Sequence, residues 1–234
     1  MGQWRRIAGF RVVVSWPEAA YAPPPVTRPA LRSRLAGLAG TALVLGGVAA
    51  IGFGVAAQQH APQPTLSAAG NVGPVRGPTL RRSPPVSVQI PAIGVNSRLL
   101  HLGLNPNGTM QVPSLVTSAS LAAWYRYSAT PGQVGASVIE GHVDNDQGPA
   151  VFYKLGALRP GNIIDVKLAD GLTAIFRVTG VREYTKSRYP AKTIYRATNY
   201  AALRLITCGG EFDYRTGHYL SSTVVFASLI SSRR

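Results

Sequence analysis

Two apolar patterns divide the chain. Leu35 to Ala57 (LAGLAGTALVLGGVAAIGFGVAA) is a continuous apolar stretch without a charge, and at about 1.5 Å rise per residue it is long enough to cross the ~30 Å hydrocarbon core of a bilayer. It predicts one transmembrane helix. From Val86 onward the apolar residues come instead in short runs rich in Val, Ile, Leu and aromatics, separated by turn signals at the spacing of an all-β sandwich or barrel. The runs SVQIPAI, SRLLHLGL, TMQVP, SASLAAWY, ASVIEGHV, IIDVKLA, LTAIFRVTGVREY, LRLITC and STVVFASL predict strands. NPNG, ATPGQVG, LRPGN, ADG and CGGEFDYRTG predict the turns between them. PAVFYKLGAL predicts a short helix, because Val151, Leu155 and Leu158 recur at helical spacing. No long helical pattern follows the membrane span, which argues against a doubly wound α/β fold.

Between these regions Gln58 to Pro85 is rich in Pro, Gly, Ala and Ser without apolar period, and predicts an extended tether. The organisation expected is a basic cytoplasmic segment at 1–34, a signal-anchor helix at 35–57, a linker at 58–85 and a catalytic domain at 86–232. Arg5, Arg6, Arg11, Arg28, Arg32 and Arg34 precede the apolar span against Glu18 alone. This imbalance keeps the N-terminus in the cytoplasm and sends the C-terminal domain outside a single-pass cell-membrane anchor. The alternative, a cleaved signal peptide with Val55-Ala56-Ala57 at the cleavage site, has to accommodate an apolar core longer than such peptides use.

The net charge of +15 changes meaning once it is divided. Residues 1–86 hold nine of the 24 basic residues against one acid, so half of the excess is a topology signal plus Arg76, Arg81 and Arg82 of the linker. No helix-turn-helix, zinc-finger or RNP pattern appears, and nucleic-acid binding is not expected.

Chemistry concentrates at His142, in SVIEGHVD, and at Cys208, the one cysteine of the chain, in LRLITCGG. A thiol is mostly protonated at neutral pH, and a neighbouring imidazole is the common means of supplying thiolate. Gly209 and Gly210 remove side chains where a substrate backbone would approach, and leave N–H groups to face a developing oxyanion. The residues taken alone fit equally a buried small hydrophobe, a loop histidine and a glycine turn closing a strand.

LITC followed by GG, with GH on a preceding strand, resembles the sortases, the cysteine transpeptidases that attach proteins to Gram-positive cell walls. QIPAIGV, GLNPNGTMQVP, AAWY, PGQVGASVIEGHVD, GPAVFYKLGALRPGN, VREY and LRLITCGGEFDYRTGHY resemble more narrowly the class F sortases typical of actinobacteria. The resemblance runs from about Val86 to Leu229. It implies a closed eight-stranded β-barrel with short helices behind one N-terminal transmembrane helix. It also implies cleavage of an LPxTG-like sorting signal between Thr and Gly through a Cys208 thioester, with His142 as general acid/base. The acceptor would be an amine of a peptidoglycan precursor or a pilin, and the partners surface proteins bearing such signals. Thr207, Gly209, Gly210, Arg215 and His218 would contact substrate.

The sequence departs from the family where an arginine is sought on the strand after the cysteine, since Leu220, Ser221, Ser222 and Thr223 stand there. Arg204 is the leading substitute, because its even spacing from Cys208 puts both on one face of a strand; Arg215 is the other. As a strand arginine, Arg204 equally fits pairing with Glu211 or Asp213. Glu140 shares the face of His142 by the same spacing, which reads either as a carboxylate coupled to the imidazole or as a solvated position. His218 is the competing base, while His60 and His101 lie in the tether and an early strand. DND at 144–146 lacks the spacing and closing Glu of a calcium loop, so neither metal nor cofactor is expected.

Overall fold

The computed structural model describes residues 61–71 and 77–234. The expected basic segment and transmembrane helix lie outside these residues. Among the described residues no helix is long and apolar enough to cross a membrane.

Ten strands are present among the described residues: β1 (Pro85–Ile90), β2 (Val95–Leu102), β3 (Ala122–Tyr125), β4 (Gly135–Glu140), β5 (Asp144–Asn145), β6 (Gly148–Pro149), β7 (Ile163–Leu168), β8 (Thr173–Thr185), β9 (Ala201–Asp213) and β10 (His218–Arg233). Eight close into a barrel in the order β1-β2-β3-β4-β9-β10-β8-β7, while β5 and β6 form a separate small hairpin. The pairs β2–β3 and β4–β9 are parallel and the other barrel pairs antiparallel. Closure leaves no free sheet edge in the barrel. One short helix, α1 (Ala191–Tyr195), lies in the long connection from β8 to β9.

Alternation forms the outer strands. In β7 and the first half of β8, Ile164, Val166, Leu168, Ala174, Phe176 and Val178 point into the barrel, with polar residues between them. The strands β4 and β9 are buried on both faces, which is why GASVIE and AALRLIT read as continuous runs rather than alternations. Leu203, Leu205 and Ile139 fill the interior. Val138 and Ile206 face outward and are covered by Ile194 of α1 and by Tyr184, Tyr189 and Tyr195.

Four expectations are corrected. TMQVP is no strand; only Leu104 and Met110 form an isolated bridge, across the NPNG turn. PAVFYKLGAL is a series of turns ending in a 3₁₀ turn at Leu155–Ala157, which still buries Leu155 and Leu158. The CGGEFDYRTG turn shrinks to residues 214–217, since β9 runs through Cys208 to Asp213. The described part of the linker is no free tether. A 3₁₀ turn at Leu66–Ala69 sinks Ala68 into the interior cluster, and Leu80 donates its N–H to Gly132.

Candidate active site

Parallel pairing of β4 with β9 ends two residues before both chemical residues. Val138 stands opposite Arg204 and Glu140 opposite Ile206, and Gly141 continues the ladder with a 3.1 Å bond from its N–H to the Ile206 carbonyl. His142 follows this last bond by one residue on its segment, and Cys208 stands two residues beyond Ile206 on β9. On the other side, Cys208 pairs with Ser222 of β10, and Ser222 with Tyr184 of β8.

The thiol is strongly desolvated, which pushes it up to about 11; Lys186 opposes that shift by charge and by a side-chain hydrogen bond, while Asp144 and Glu140 reinforce it. Burial likewise lowers the proton affinity of His142, partly offset by the Pro113 carbonyl and the charge of Asp144. Thiol and imidazole are therefore both uncharged near neutrality. His142 Nε2 lies 2.6 Å from the Pro113 carbonyl oxygen. A carbonyl only accepts, so Nε2 carries hydrogen and Nδ1 is the nitrogen able to take a proton. Asp144, whose own carboxyl is raised by burial, receives a short hydrogen bond from the Tyr219 hydroxyl. It sits in the DND hairpin that β5 and β6 form.

Glu140 is 2% exposed, so the solvated alternative does not hold. Burial raises its carboxyl to about 8, and its Oε2 has no hydrogen-bond partner. Its charge is felt by Tyr125, Tyr189, Tyr195 and Cys208, whereas the carboxylate acting on His142 is Asp144.

The other sequence candidates fall in different places. Thr207 follows the parity of Leu203 and Leu205 and so turns toward the barrel interior, away from the face that carries Cys208. Gly209 and Gly210 are required by packing: a β-carbon on Gly209 would lie 2.6 Å from Thr223 Oγ1, and one on Gly210 2.7 Å from Ser221 Cβ. Gly210 has φ +75° at a bulge where three steps on β9 match two on β10. Its N–H, expected to be free for an oxyanion, is bonded to Gln63 Oε1 at 3.2 Å. His218 faces Asp213 at the end of the β9–β10 hairpin, five residues, or roughly 16 Å, beyond Cys208. Arg215 is exposed in the turn and pairs with Asp213 at 3.8 Å.

Arg204 shares the face of Cys208, as its spacing predicts, but its guanidinium is stacked 4.6 Å over the Phe226 ring and donates from Nη1 to the Leu203 carbonyl. It lies four residues down β9 from the sulfur, about 13 Å by strand rise. It is 4% exposed and its Nε has no hydrogen-bond partner. Beyond it a cavity of about 250 Å³, lined in part by Tyr125, Tyr127, Val134, Val138 and Tyr195, opens beside β4. Lys186 and Gln63 carry no sequence signal for the site. No group of three or more metal-ligating side chains is placed to hold an ion among the described residues.

A family model described as the sortase domain matches residues 88–230. Among solved structures, the chain is similar to sortase C1 from Streptococcus agalactiae, at 17% identity and TM-score 0.48 over 62% of this chain and 66% of that one. It is similar to Listeria monocytogenes sortase A, at 19% and 0.48 over 65% and 90% of the two chains. It is also similar to a sortase from Actinomyces oris, at 18% and 0.48 over 73% and 90%. No curated protein sequence matches.

Proposed function

The chain belongs to the sortase family, and from that premise we propose a membrane-anchored class F cysteine transpeptidase that cuts an LPxTG-like signal between Thr and Gly and passes the acyl group to an amine. The observation that supports the reading is the parallel β4–β9 register, whose last pair, Glu140 with Ile206, precedes His142 and Cys208 by two residues on each segment.

In the proposed reaction, the Cys208 thiol gives its proton to His142 Nδ1 as the sulfur attacks the threonine carbonyl carbon. The tetrahedral intermediate collapses, the C–N bond breaks, and the imidazolium returns the proton to the departing glycine amine. A second amine then attacks the thioester carbonyl, His142 takes its proton, and sulfur leaves to be reprotonated. The uncharged ground state of both groups suits this exchange, since the charge separation forms only as substrate arrives.

The cavity opens beside β4, about 13 Å from the sulfur along the strand, the length of four extended residues. Arg204 keeps the role of backbone donor as the sequence-based proposal alone, since its guanidinium is buried and stacked on Phe226. The cavity walls, with Tyr125, Val134, Val138 and Tyr195, suit an apolar side chain. Anchoring by Leu35–Ala57, an extracellular domain, a peptidoglycan or pilin acceptor and the class F assignment rest on the sequence motifs and charge pattern given above.

The test is mass spectrometry of LPxTG-like peptides incubated with the full chain in detergent and hydroxylamine, beside Cys208→Ala. A hydroxamate ending at threonine, absent from the variant, is the expected product. Free acid despite abundant hydroxylamine would make the protein a peptidase instead, and intact peptide would refute turnover.

A further inference from the structure

Exposed apolar side chains gather at the end of the barrel that holds Cys208. Tyr214 and Leu220 belong to the β9–β10 hairpin, where Tyr214 is 69% exposed and stands edge-on to Phe212, itself against Tyr219. The Tyr219 hydroxyl donates to Asp144 of the β5–β6 hairpin, and Asn145 of that hairpin donates from Nδ2 to the Leu115 carbonyl at 2.9 Å. Leu115 and Val116 are both exposed, Val116 to 84%. Two residues before Leu115, the Pro113 carbonyl meets His142. These contacts fix both apolar tips at the catalytic end. Elsewhere among the described residues, exposed Tyr127 and Val134 wall the cavity toward the opposite end of β4, and Val86 sits in the bulge of β1.

The N-terminal segment reaches the same end. Gln63 Oε1 accepts the Gly210 N–H, two residues beyond Cys208, while Gln63 Nε2 donates to the Ala61 carbonyl at 2.9 Å. Pro62 is seated so closely on Gly156 that a β-carbon there would lie 2.0 Å from the Pro62 carbonyl oxygen. The span predicted from the sequence ends at Ala57, so six residues at no more than ~3.6 Å each let Gln63 stand at most about 22 Å from it. Ser232, near the far end of β10, is ten residues from the Ser222 that pairs with Cys208, roughly 33 Å by strand rise. With Gln63 seated, the chain is long enough for the catalytic end to meet a bilayer and too short for the far end to do so. Arg215 pairs with Asp213 at 3.8 Å, and Glu211 and Asp146 are exposed on the two hairpins. Attraction to a lipid surface is therefore apolar rather than electrostatic.

We propose that the catalytic end of the barrel docks on the bilayer, with Tyr214, Leu220, Leu115 and Val116 set into the lipid interface and the far end turned away from it. The docking rests on the membrane-anchored reading given above. An anchor makes the encounter intramolecular, so a weak apolar contact suffices. The nucleophile then works close to the lipid surface rather than at a distance from it.

The experiment uses the full chain with Cys208→Ala in phosphatidylcholine vesicles, with circular dichroism to verify the fold. One new cysteine carries the fluorophore NBD, either Arg215→Cys at the hairpin tip or Ser232→Cys at the far end. Lipids with a nitroxide just below the headgroup quench a fluorophore that enters the interface. Quenching at position 215 is expected to exceed that at 232 at least ~5-fold and to persist in ~0.5 M salt. It should fall to the level of 232 when Val116→Ser, Tyr214→Ser and Leu220→Ser are combined. Equal quenching at the two positions, stronger quenching at 232, or an unchanged triple variant would overturn the proposal. A label at 215 shielded from water yet unquenched would overturn it too, because a second copy or another segment would then cover the rim. Carbonate extraction of the same vesicles tests the anchor separately. Protein released by carbonate but quenched at 215 beforehand would refute the anchor and leave the docking standing, whereas retained protein without quenching would refute the docking alone.

Discussion

Replacing Glu140 by Gln isolates the electrostatic cost built into the outer wall of the site. Gln keeps the shape of the protonated carboxyl and cannot ionise. In the wild type the unfolded side chain loses its proton near 4.5, whereas burial holds the folded one protonated up to about 8. Folding therefore takes up a proton between these values. Relative to the Gln variant, the wild type is best placed below pH 4.5, loses ground as pH rises to about 8, and loses no more beyond it. At pH 7 the deficit, reckoned from pH 4.5 at about 1.36 kcal/mol per pH unit, is about 3 kcal/mol. Urea unfolding followed by tryptophan fluorescence, with Trp124 buried in the barrel interior as reporter, measures it at several pH values. The lead of Glu140→Gln should be near zero at pH 4.5 and about 3 kcal/mol at pH 7. Parallel curves, or a wild type that gains on the variant with rising pH, would refute the reasoning.

Two further outcomes follow from the geometry. Gly210→Ala forces a side chain onto φ +75° and into Ser221, and should cost about 2 kcal/mol in the same unfolding assay; a loss under about 0.5 kcal/mol would mean the bulge is not needed. Asp144→Asn removes the carboxylate that raises the proton affinity of His142, so the imidazole should titrate at lower pH by proton NMR, and an unchanged or higher midpoint would contradict the assignment.

Much of the barrel was legible because one-sided strands alternate. IIDVKL and TAIFRV announce their buried face at every second residue. The double glycine misled, since Gly210 is a bulge inside β9 and local sequence does not distinguish a positive φ within a strand from one in a turn. TMQVP misled in the other direction: its apolar residues suit a strand, and no partner strand is available beyond one bridge. At the site, His142 and Cys208 could be named from their motifs, but the parallel register that pairs their segments joins distant parts of the chain. The inward side of Thr207 follows from strand alternation, which sets neighbouring residues on opposite faces. Lys186 and Gln63 were invisible, as a lysine after a strand and a glutamine in a Pro-rich stretch have no pattern until tertiary packing aims them.

The pairing of β4 with β9 has a consequence for the time before the enzyme exists. Sixty residues separate Glu140 from Ala201, and the two strands can align only after β7, β8 and the long connection have been laid out between them. Such non-local parallel pairing forms slowly, because loop closure precedes the contacts that reward it. A nascent chain that already contains Cys208 still lacks β10, the strand that flanks it on the other side. The sulfur thus gains its flanking strands on both sides only with a completed barrel.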